Sequence, residues 1–335
     1  MKERFAVRYY WHLMTLSLIG LFILLVLHVA VGTVAISPGD MIAALFNQPV
    51  APFQHIIVWD LRLPRALIAI LAGAMFGLAG AILQTIMRNP LAEPEMTGAT
   101  SGAVLFAVLW LSQGPGQLAQ PGMVLPFVAL LGGLAGGGLV YLLSWQGRNA
   151  PGRLVLTGIL ISSVLRSGTS IILLLRQDAI GSILIWLIGS LDGRVWVHWN
   201  VIWPWALVAL PLGLACASLA NVLQLGEASA TSLGLRVTWA RLSLFFVAVL
   251  LTASAVAVVG GITFLGLIAP HIARRIVGTD ARRLFLFSMV LGAGILLAAD
   301  TVTQVFSQPV TMPVGAALAL LGVPFFLYLV WRRSS

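Results

Sequence analysis

The chain has 335 residues, 60% of them hydrophobic and only 9% charged, where a soluble domain carries about 25% charged residues. Too few polar side chains are present to cover a globular surface in water, which excludes a soluble globular protein. The formal net charge of +9 does not bring in nucleic acid as a partner, because the basic residues stand in ones and twos between apolar runs, without a basic stripe.

Apolar runs near 20 residues recur along the whole length, and as a helix each can cross the roughly 30 Å hydrocarbon layer. The first follows Lys2, Arg4 and Arg8, as a secretory signal would. Its apolar stretch exceeds the core of a typical signal peptide, so it reads as a first span with a cytoplasmic N-terminus. The predicted spans are about 13–35, 64–87, 96–112, 124–145, 154–174, 200–220, 240–259, 263–277, 284–305 and 314–331. The eighth is short and interrupted by Gly266 and Pro270. Residues 179–191 are apolar but too short to cross, and Asp178, Asp192 and Arg194 close them off. They read as a partly buried outer helix, which keeps the number of spans even. The expected fold is therefore all-α, a polytopic membrane protein of about ten transmembrane helices in a single domain, 1–335.

The distribution of positive charge supports this topology. Ten spans with an inside N-terminus place 14 of the 19 lysines and arginines in the cytoplasm: Lys2, Arg4, Arg8, Arg88, Arg148, Arg153, Arg236, Arg241, Arg274, Arg275, Arg282, Arg283, Arg332 and Arg333. Arg62, Arg65, Arg176 and Arg194 fall outside, and Arg166 falls within span five. Both termini are then cytoplasmic. Glycine-rich stretches such as "LAGAMFGLAGA" (71–81) and "LGGLAGGGL" (131–139) let helix backbones approach where no hydrophobic effect draws them together.

The expected chemistry is sparse. His12, His28, His55, His198 and His271 show no helical metal spacing, and Cys216 is the lone cysteine. Paired carboxylates within the spans are not expected; the mid-span charges are Arg166 and Asp300, too few for the relay of a proton-coupled carrier. Lys2 is the only lysine, so the Gly-Lys-Ser/Thr of a phosphate-binding loop cannot form here. If nucleotide drives this protein, another chain binds it, and this chain needs no cofactor or metal of its own.

Several blocks then stand out in order: "LRLPRALIAILAGAMFGLAGAILQTIMRNPLAEPEMTGATSGA" (61–103), "GGITFLGLIAPHIARRIVGTDARR" (260–283), "LLAAD" (296–300) and "MPVGAALALLGVPFFLYLV" (312–330). Together they resemble the FecCD family, the ten-span permease subunits of type II ABC importers for iron-siderophores, haem and cobalamin, over nearly the whole chain. The resemblance implies a second permease chain, two cytoplasmic ATPase subunits that bind ATP and Mg, and a periplasmic substrate-binding protein. It also implies the bacterial inner membrane, and spans two to five and seven to ten related as inverted repeats. An iron(III)-siderophore is the first expected substrate, with cobalamin or haem second. A secondary carrier or a membrane-embedded enzyme are rivals from other classes.

The family's loop between spans six and seven, here about 221–238, carries short coupling helices against the ATPase. Leu225, Gly226, Glu227, Ala230, Leu233 and Gly234 match its pattern. Gly226 can cap a short helix, Glu227 suits its first turn, and Gly234 can end it. Small residues on the flanks, Ala230 among them, would let the helix enter a groove.

At the outer mouth, Arg62 and Arg65 either snorkel to headgroups or, as the resemblance implies, dock glutamates of the binding protein. Where the family often has an arginine after its span-nine aspartate this chain has Gln304, and Thr311 and Met312 stand where a glutamate is usual. That less charged face suits a heterodimer of permeases better than a homodimer. Asp300 needs a partner, and Arg62 or Arg65 could supply it. Arg166, with Ser162, Ser163 and Ser167, either lines the translocation path and meets anionic substrate, as the resemblance implies, or snorkels or pairs with carbonyls of a neighbouring helix. Asn89 and Pro90 form a tight turn or stand beside an inner gate. His271, Arg274 and Arg275 are expected at the end of span eight, near the ATPase.

Overall fold

In hydrocarbon every backbone N–H must find its partner within the protein, so apolar runs of this length fold as helices. The computed structural model describes residues 2–32, 34, 36–46, 48, 51–113, 124–144, 151–175, 183, 186–306 and 312–334. The expectations for Arg148, Arg176, Asp178, Thr311 and most of 179–185 lie outside the described residues.

In chain order the helices are α1 (Lys2–Ala30), α2 (Pro38–Leu45), α3 (Pro52–His55), α4 (Leu63–Ile86), α5 (Ala99–Leu111), α6 (Val124–Ser144) and α7 (Pro151–Leu175). Then come α8 (Trp196–Ala215), α9 (Ala217–Gln224), α10 (Glu227–Ser232), α11 (Val237–Val259), α12 (Leu265–Val277), α13 (Ala281–Phe306) and α14 (Val314–Ser334). Seven helical stretches are long and apolar enough to cross a bilayer; Ala99–Leu111 and Val314–Leu327 are shorter apolar helices. With α12, every predicted span finds a helix.

Three boundaries differ from expectation, each for a local reason. The second span does not begin at Pro64. Helix runs unbroken from Pro52 to Ile86, through a π-helical stretch, Ile56–Arg62. Leu63 N–H bonds five residues back, to the Val58 carbonyl, and this wide turn leaves room for the Pro64 ring, which would otherwise strike the preceding turn. The sixth span is two helices, α8 and α9, meeting at Cys216. The eighth is not interrupted at Gly266: α12 begins at Leu265 and carries Pro270 inside it.

At 13 residues each, α5 and α12 rise only about 20 Å. Each is preceded by a non-helical break: 87–98, with a 3₁₀ turn at Pro94–Thr97, and 260–264. Such backbone survives in a membrane protein only when buried in protein or lining water. The second break is closed by the apolar segment before α8. Ser190 N–H donates to the Val259 carbonyl (2.9 Å), Gly261 N–H to Trp186 O (3.4 Å) and Gly315 N–H to Gly189 O (3.1 Å). Of the expected outer helix, the described residues 183 and 186–188 are helical, and 186–190 satisfy backbone groups of the break.

Packing repeats across the two halves. α4 lies along α13 as α11 lies along α6, and α5 packs on α6 as α12 packs on α13. The matching pairs second span with ninth and seventh with fourth. Glycine makes the contact close: a methyl at Gly73 or Gly77 would overlap the carbonyls of Gly292 or Ser288.

Candidate functional site

The segment between α9 and α11 folds as its residues dictate. Gly226, at φ 109°, turns the chain, and α10 starts at Glu227. Leu235 N–H bonds the Ala230 carbonyl (3.0 Å) and Gly234 N–H bonds Thr231 O (2.9 Å), with Gly234 at φ 79°. This is a Schellman stop, which needs the left-handed glycine. Glu227 Oε1 accepts from Arg241 Nη2 at 2.6 Å, tying the helix start to α11. Leu225 and Leu233 are 63% and 66% exposed, while Ala230 is fully buried. The expected groove-entering flank therefore divides: the leucines face outward, and Ala230 faces the chain's own body as the seat of α10.

Around this end, loops are fastened by side chains the sequence reading passed over. Arg88, at φ 46°, donates to the Leu223 carbonyl (2.8 Å) at the end of α9. Asn221 donates to Asp280 Oδ1 (2.8 Å) and accepts Ala281 N–H (2.7 Å), while the Asp280 carbonyl accepts the N–H groups of Arg283 and Leu284 in the first turn of α13. Burial pushes the Asp280 carboxyl up, but the Asn221 amide, Arg282 N–H and the charges of Arg283 and Arg282 outweigh it and hold it below its ordinary value. Asn89 closes a tight turn, its Oδ1 accepting Leu91 N–H (3.0 Å) and its carbonyl accepting Ala92 N–H (3.0 Å); Pro90 is half-buried within it.

His271, Arg274 and Arg275 do not form one face. His271 lies edge-on to Phe325 of α14 at 5.8 Å, Arg274 reaches Gln84 (3.4 Å) on α4, and only Arg275 is exposed.

At the opposite end a network of charge is buried. Asp300 is fully buried on α13. It accepts Arg65 in a fork, Nε to Oδ2 and Nη2 to Oδ1, both 2.8 Å, and lies 2.8 Å from His28 Nε2. Gln304 sits 2.7 Å from the same His28 nitrogen and 3.3 Å from Asp300, so the residue in the place of the family's arginine completes this network. Arg65 also reaches Asp192 at 3.2 Å. Arg62 is buried and spends its donors on backbone: Nη1 to the carbonyls of Val29 (2.9 Å) and Ala30 (3.0 Å), Nη2 to that of Val34 (2.6 Å). It caps the C-terminus of α1, whose last carbonyls lack helical partners. Of the two arginines offered to Asp300, the structure chooses Arg65.

Arg62, Arg65 and Arg194 line a cavity of about 450 Å³ with Asp192, Gln304 and an apolar wall including Ile57, Leu61 and Met312. Arg194 Nη1 contacts His198 Nε2 at 3.1 Å, while its buried Nε has no hydrogen-bond partner. Burial lowers its pKa to about 10, against the opposing pull of Asp192, so it stays charged at neutral pH. The sequence reading saw Arg194 only as a charge closing a segment.

On α7, Ser163 and Ser167 are exposed and bond their own preceding turns. Ser162 is buried and donates to the Glu95 carbonyl at 3.0 Å. Arg166 Nη1 meets Glu95 Oε1 at 2.6 Å. Glu93 and Glu95, from the turn before α5, line a small cavity together with Arg166.

Seven span-length helical stretches and three shorter helices packed in matched halves, two buried backbone breaks and a capped helix standing out at one end define a multi-pass helical membrane transport body. The chain belongs to the FecCD transport family, which matches residues 20–332. It is 38% identical over 310 residues to the Fe(3+)-citrate import system permease protein YfmE of Bacillus subtilis, covering 92% of each chain. It is 36% identical over 329 residues to the achromobactin transport system permease protein CbrC of Dickeya dadantii, covering 96% of this chain and 93% of that one. Among solved structures, a metal-chelate type ABC transporter in an inward-facing conformation superposes with a TM-score of 0.84 at 28% identity, covering 96% and 99%.

Proposed function

We propose that this chain is the permease subunit of an ATP-binding-cassette importer that carries an iron(III)-siderophore complex from periplasm to cytoplasm. Separate ATPase subunits would bind ATP and Mg and supply the power. The observation that carries this reading is α10: a helix of one and a half turns, stopped by glycine at both ends, seated through Ala230 and Glu227 and offering Leu225 and Leu233 outward. A helix this short cannot be stable by itself. Fixed caps with exposed apolar anchors suit a rigid knob that fits a groove in another subunit. With Lys2 as its single lysine, the chain cannot form a phosphate-binding loop of the Gly-Lys-Ser/Thr kind.

The remaining partners follow from the same reading. A second permease chain, a different one by preference, would cover the exposed apolar face of α7, and the pathway would run beside Arg166. The protein would sit in the bacterial inner membrane with both termini cytoplasmic. A periplasmic binding protein would dock at the cavity end. Since Arg62 and Arg65 are engaged within the chain, Arg194 is the guanidinium best placed for an incoming carboxylate there. The substrate class is supported by relatives whose names specify iron citrate, achromobactin and iron-hydroxamate import.

The test is reconstitution with candidate ATPase, second permease and binding protein, followed by uptake of labelled iron chelates into vesicles. Uptake should require ATP inside the compartment corresponding to the cytoplasm. Uptake by this chain alone, abolished by uncouplers, would refute the reading.

A further inference from the structure

The short helices α2 and α3 precede the second span and are too short to cross a bilayer. They are braced to each other. Ser37 Oγ accepts Asp40 N–H at the start of α2 (3.1 Å), Gln54 Nε2 donates to Asp40 Oδ2 (3.1 Å), and Gln54 Oε1 accepts Ala51 N–H (3.3 Å). Met41 and Ala44 turn inward and are buried, while Ile42 and Phe46, four apart on one face of the turn, are exposed. Phe53 of α3 and Ile56, three residues on, are exposed as well. With Phe46 75% and Phe53 55% exposed, the brace holds large apolar side chains outward in a fixed geometry.

Lipid is the first candidate to cover them, and their height excludes it. A guanidinium is costly below the edge of the hydrocarbon layer, and Arg62 closes the end of α1, so that end marks the layer's boundary. Three residues further out, the Trp59 carbonyl accepts Trp196 Nε1–H (3.0 Å), and the two rings lie 6.1 Å apart. Tryptophans gather at the level of the headgroups. Gln54 precedes Arg62 by eight residues on the same unbroken helix, which puts it roughly 10 Å further out even with a tilt of about 20°. The headgroups add only about 5–7 Å to each leaflet. The Asp40 bond holds α2 at the height of Gln54. Helices that lie in the headgroup plane are also rich in lysine and arginine, and the chain has neither between Arg8 and Arg62.

We infer that the outer face of α2 and α3 is an apolar docking ridge for the soluble binding protein, an inference that rests on the importer reading above. The surface it fits is an apolar patch on one lobe with an acidic side chain beside it. The patch would meet Phe46 and Phe53, and the acid would meet Arg194. The ridge and the cavity are continuous, because Ile57 and Leu61 of the same helix form the cavity wall with Arg194. Arg62 and Arg65 are occupied by bonds within the chain, so apolar contact has to supply what they do not. Aromatic side chains suit this, giving a large contact area for little lost rotamer freedom. A second permease is assigned to α7, whereas α2 packs on α1, α3 and the π-helical stretch.

The test uses the full chain in lipid nanodiscs and the purified binding protein that sustains uptake in the reconstituted importer. In surface capture, Phe46→Ala/Phe53→Ala should weaken the complex at least tenfold, the loss expected of an aromatic anchor, with Tm unchanged. The double variant should keep the salt dependence of the wild type, since apolar contact is not screened, whereas Arg194→Gln should reduce it. Equal affinity in wild type and double variant overturns the inference and leaves the importer reading standing. If no binding protein sustains uptake or is captured by the wild type, both fall. A nitroxide attached at Phe46→Cys or Phe53→Cys, in a chain carrying Cys216→Ser, reads the surface without the partner. A water-soluble nickel chelate should relax it more than oxygen does, and adding the binding protein should shield it. Relaxation by oxygen over nickel, the pattern expected of a label at exposed Phe22 on α1, would show lipid on the ridge and overturn the inference.

Discussion

Replacing Asp300 by asparagine keeps the shape of the side chain and removes its charge. In the wild type this carboxylate is fully buried and takes two 2.8 Å bonds from Arg65, with His28 2.8 Å away. The substitution would leave the Arg65 guanidinium, 18% exposed, with only the half-exposed Asp192 at 3.2 Å as its counter-charge. Breaking a buried pair by removing one partner costs about 3–5 kcal/mol. An unfolding entropy of about 2.1 cal/mol/K per residue gives roughly 0.7 kcal/mol/K for this chain, so Tm should fall by about 4–7 °C. Tryptophan fluorescence during heating, in one detergent for all variants, reads this directly. Arg65→Gln should lose a similar amount, and the double variant should lose clearly less than the two singles added, because the second change removes a partner already stranded. A Tm for Asp300→Asn within about 1 °C of wild type, or strictly additive losses, would show that the pair does not hold α4 to α13.

Other positions separate seat from contact surface. Ala230→Leu forces a large side chain under α10, an overpacking cost of about 1–3 kcal/mol; in a reconstituted importer, ATP hydrolysis should continue while uptake per ATP falls. Leu233→Ala, at an exposed site, should leave Tm unchanged and weaken ATPase binding roughly five- to thirtyfold, the range of a 1–2 kcal/mol anchor, as measured by surface capture. Arg62→Ala strips a charged donor from the last two α1 carbonyls and from that of Val34, each such bond contributing about 1.5–3 kcal/mol. It should lower Tm, whereas Arg194→Gln should weaken binding-protein capture with less effect on Tm. The folded-state value of Asp280 is depressed, so its stabilisation is complete above the unfolded value near 4 and is lost as pH falls through the lower folded one. Asp280→Asn should lack that acid limb in a Tm–pH profile.

Helix number, order and approximate ends were readable because spanning helices advertise themselves locally: an apolar run carries its own hydrogen bonds, and nothing distant can overrule it. The glycines at 226 and 234 were readable for the same reason, since cap and stop act within a few residues of the helix they bound. The boundary near Pro64 was misread because proline commonly opens a helix, and the π-helical turn that keeps this one going is a property of backbone register with no side-chain signature. Gly266 was read as an interruption for a similar reason. Its absent side chain admits Pro94 of another turn, so the glycine reports packing between segments and not a local bend.

The charged sites failed differently, because each depends on a partner far along the chain. His28 and Asp300 are 272 residues apart and Arg65 and Asp300 are 235 apart, and a single sequence holds no record of which distant residues meet. Arg62 shows the consequence. Its place three residues before Arg65 in "RLPR" suggests two equal arginines facing outward, and the structure gives them separate tasks: one closes α1, the other balances Asp300. Arg166 had two readings, pathway or structural pair, and its partner was five residues past the conspicuous "RNP" of the preceding turn. Nothing in the sequence singles out Glu95 until the Gly158, Ser162 and Arg166 stripe of α7 is laid against it. Had that four-residue spacing been read as one helix face carrying a close-approach residue, a hydrogen-bond donor and a cation, the need for a carboxylate-bearing backbone turn opposite would have followed from the sequence. Which of the acidic residues answers it would still have required the fold.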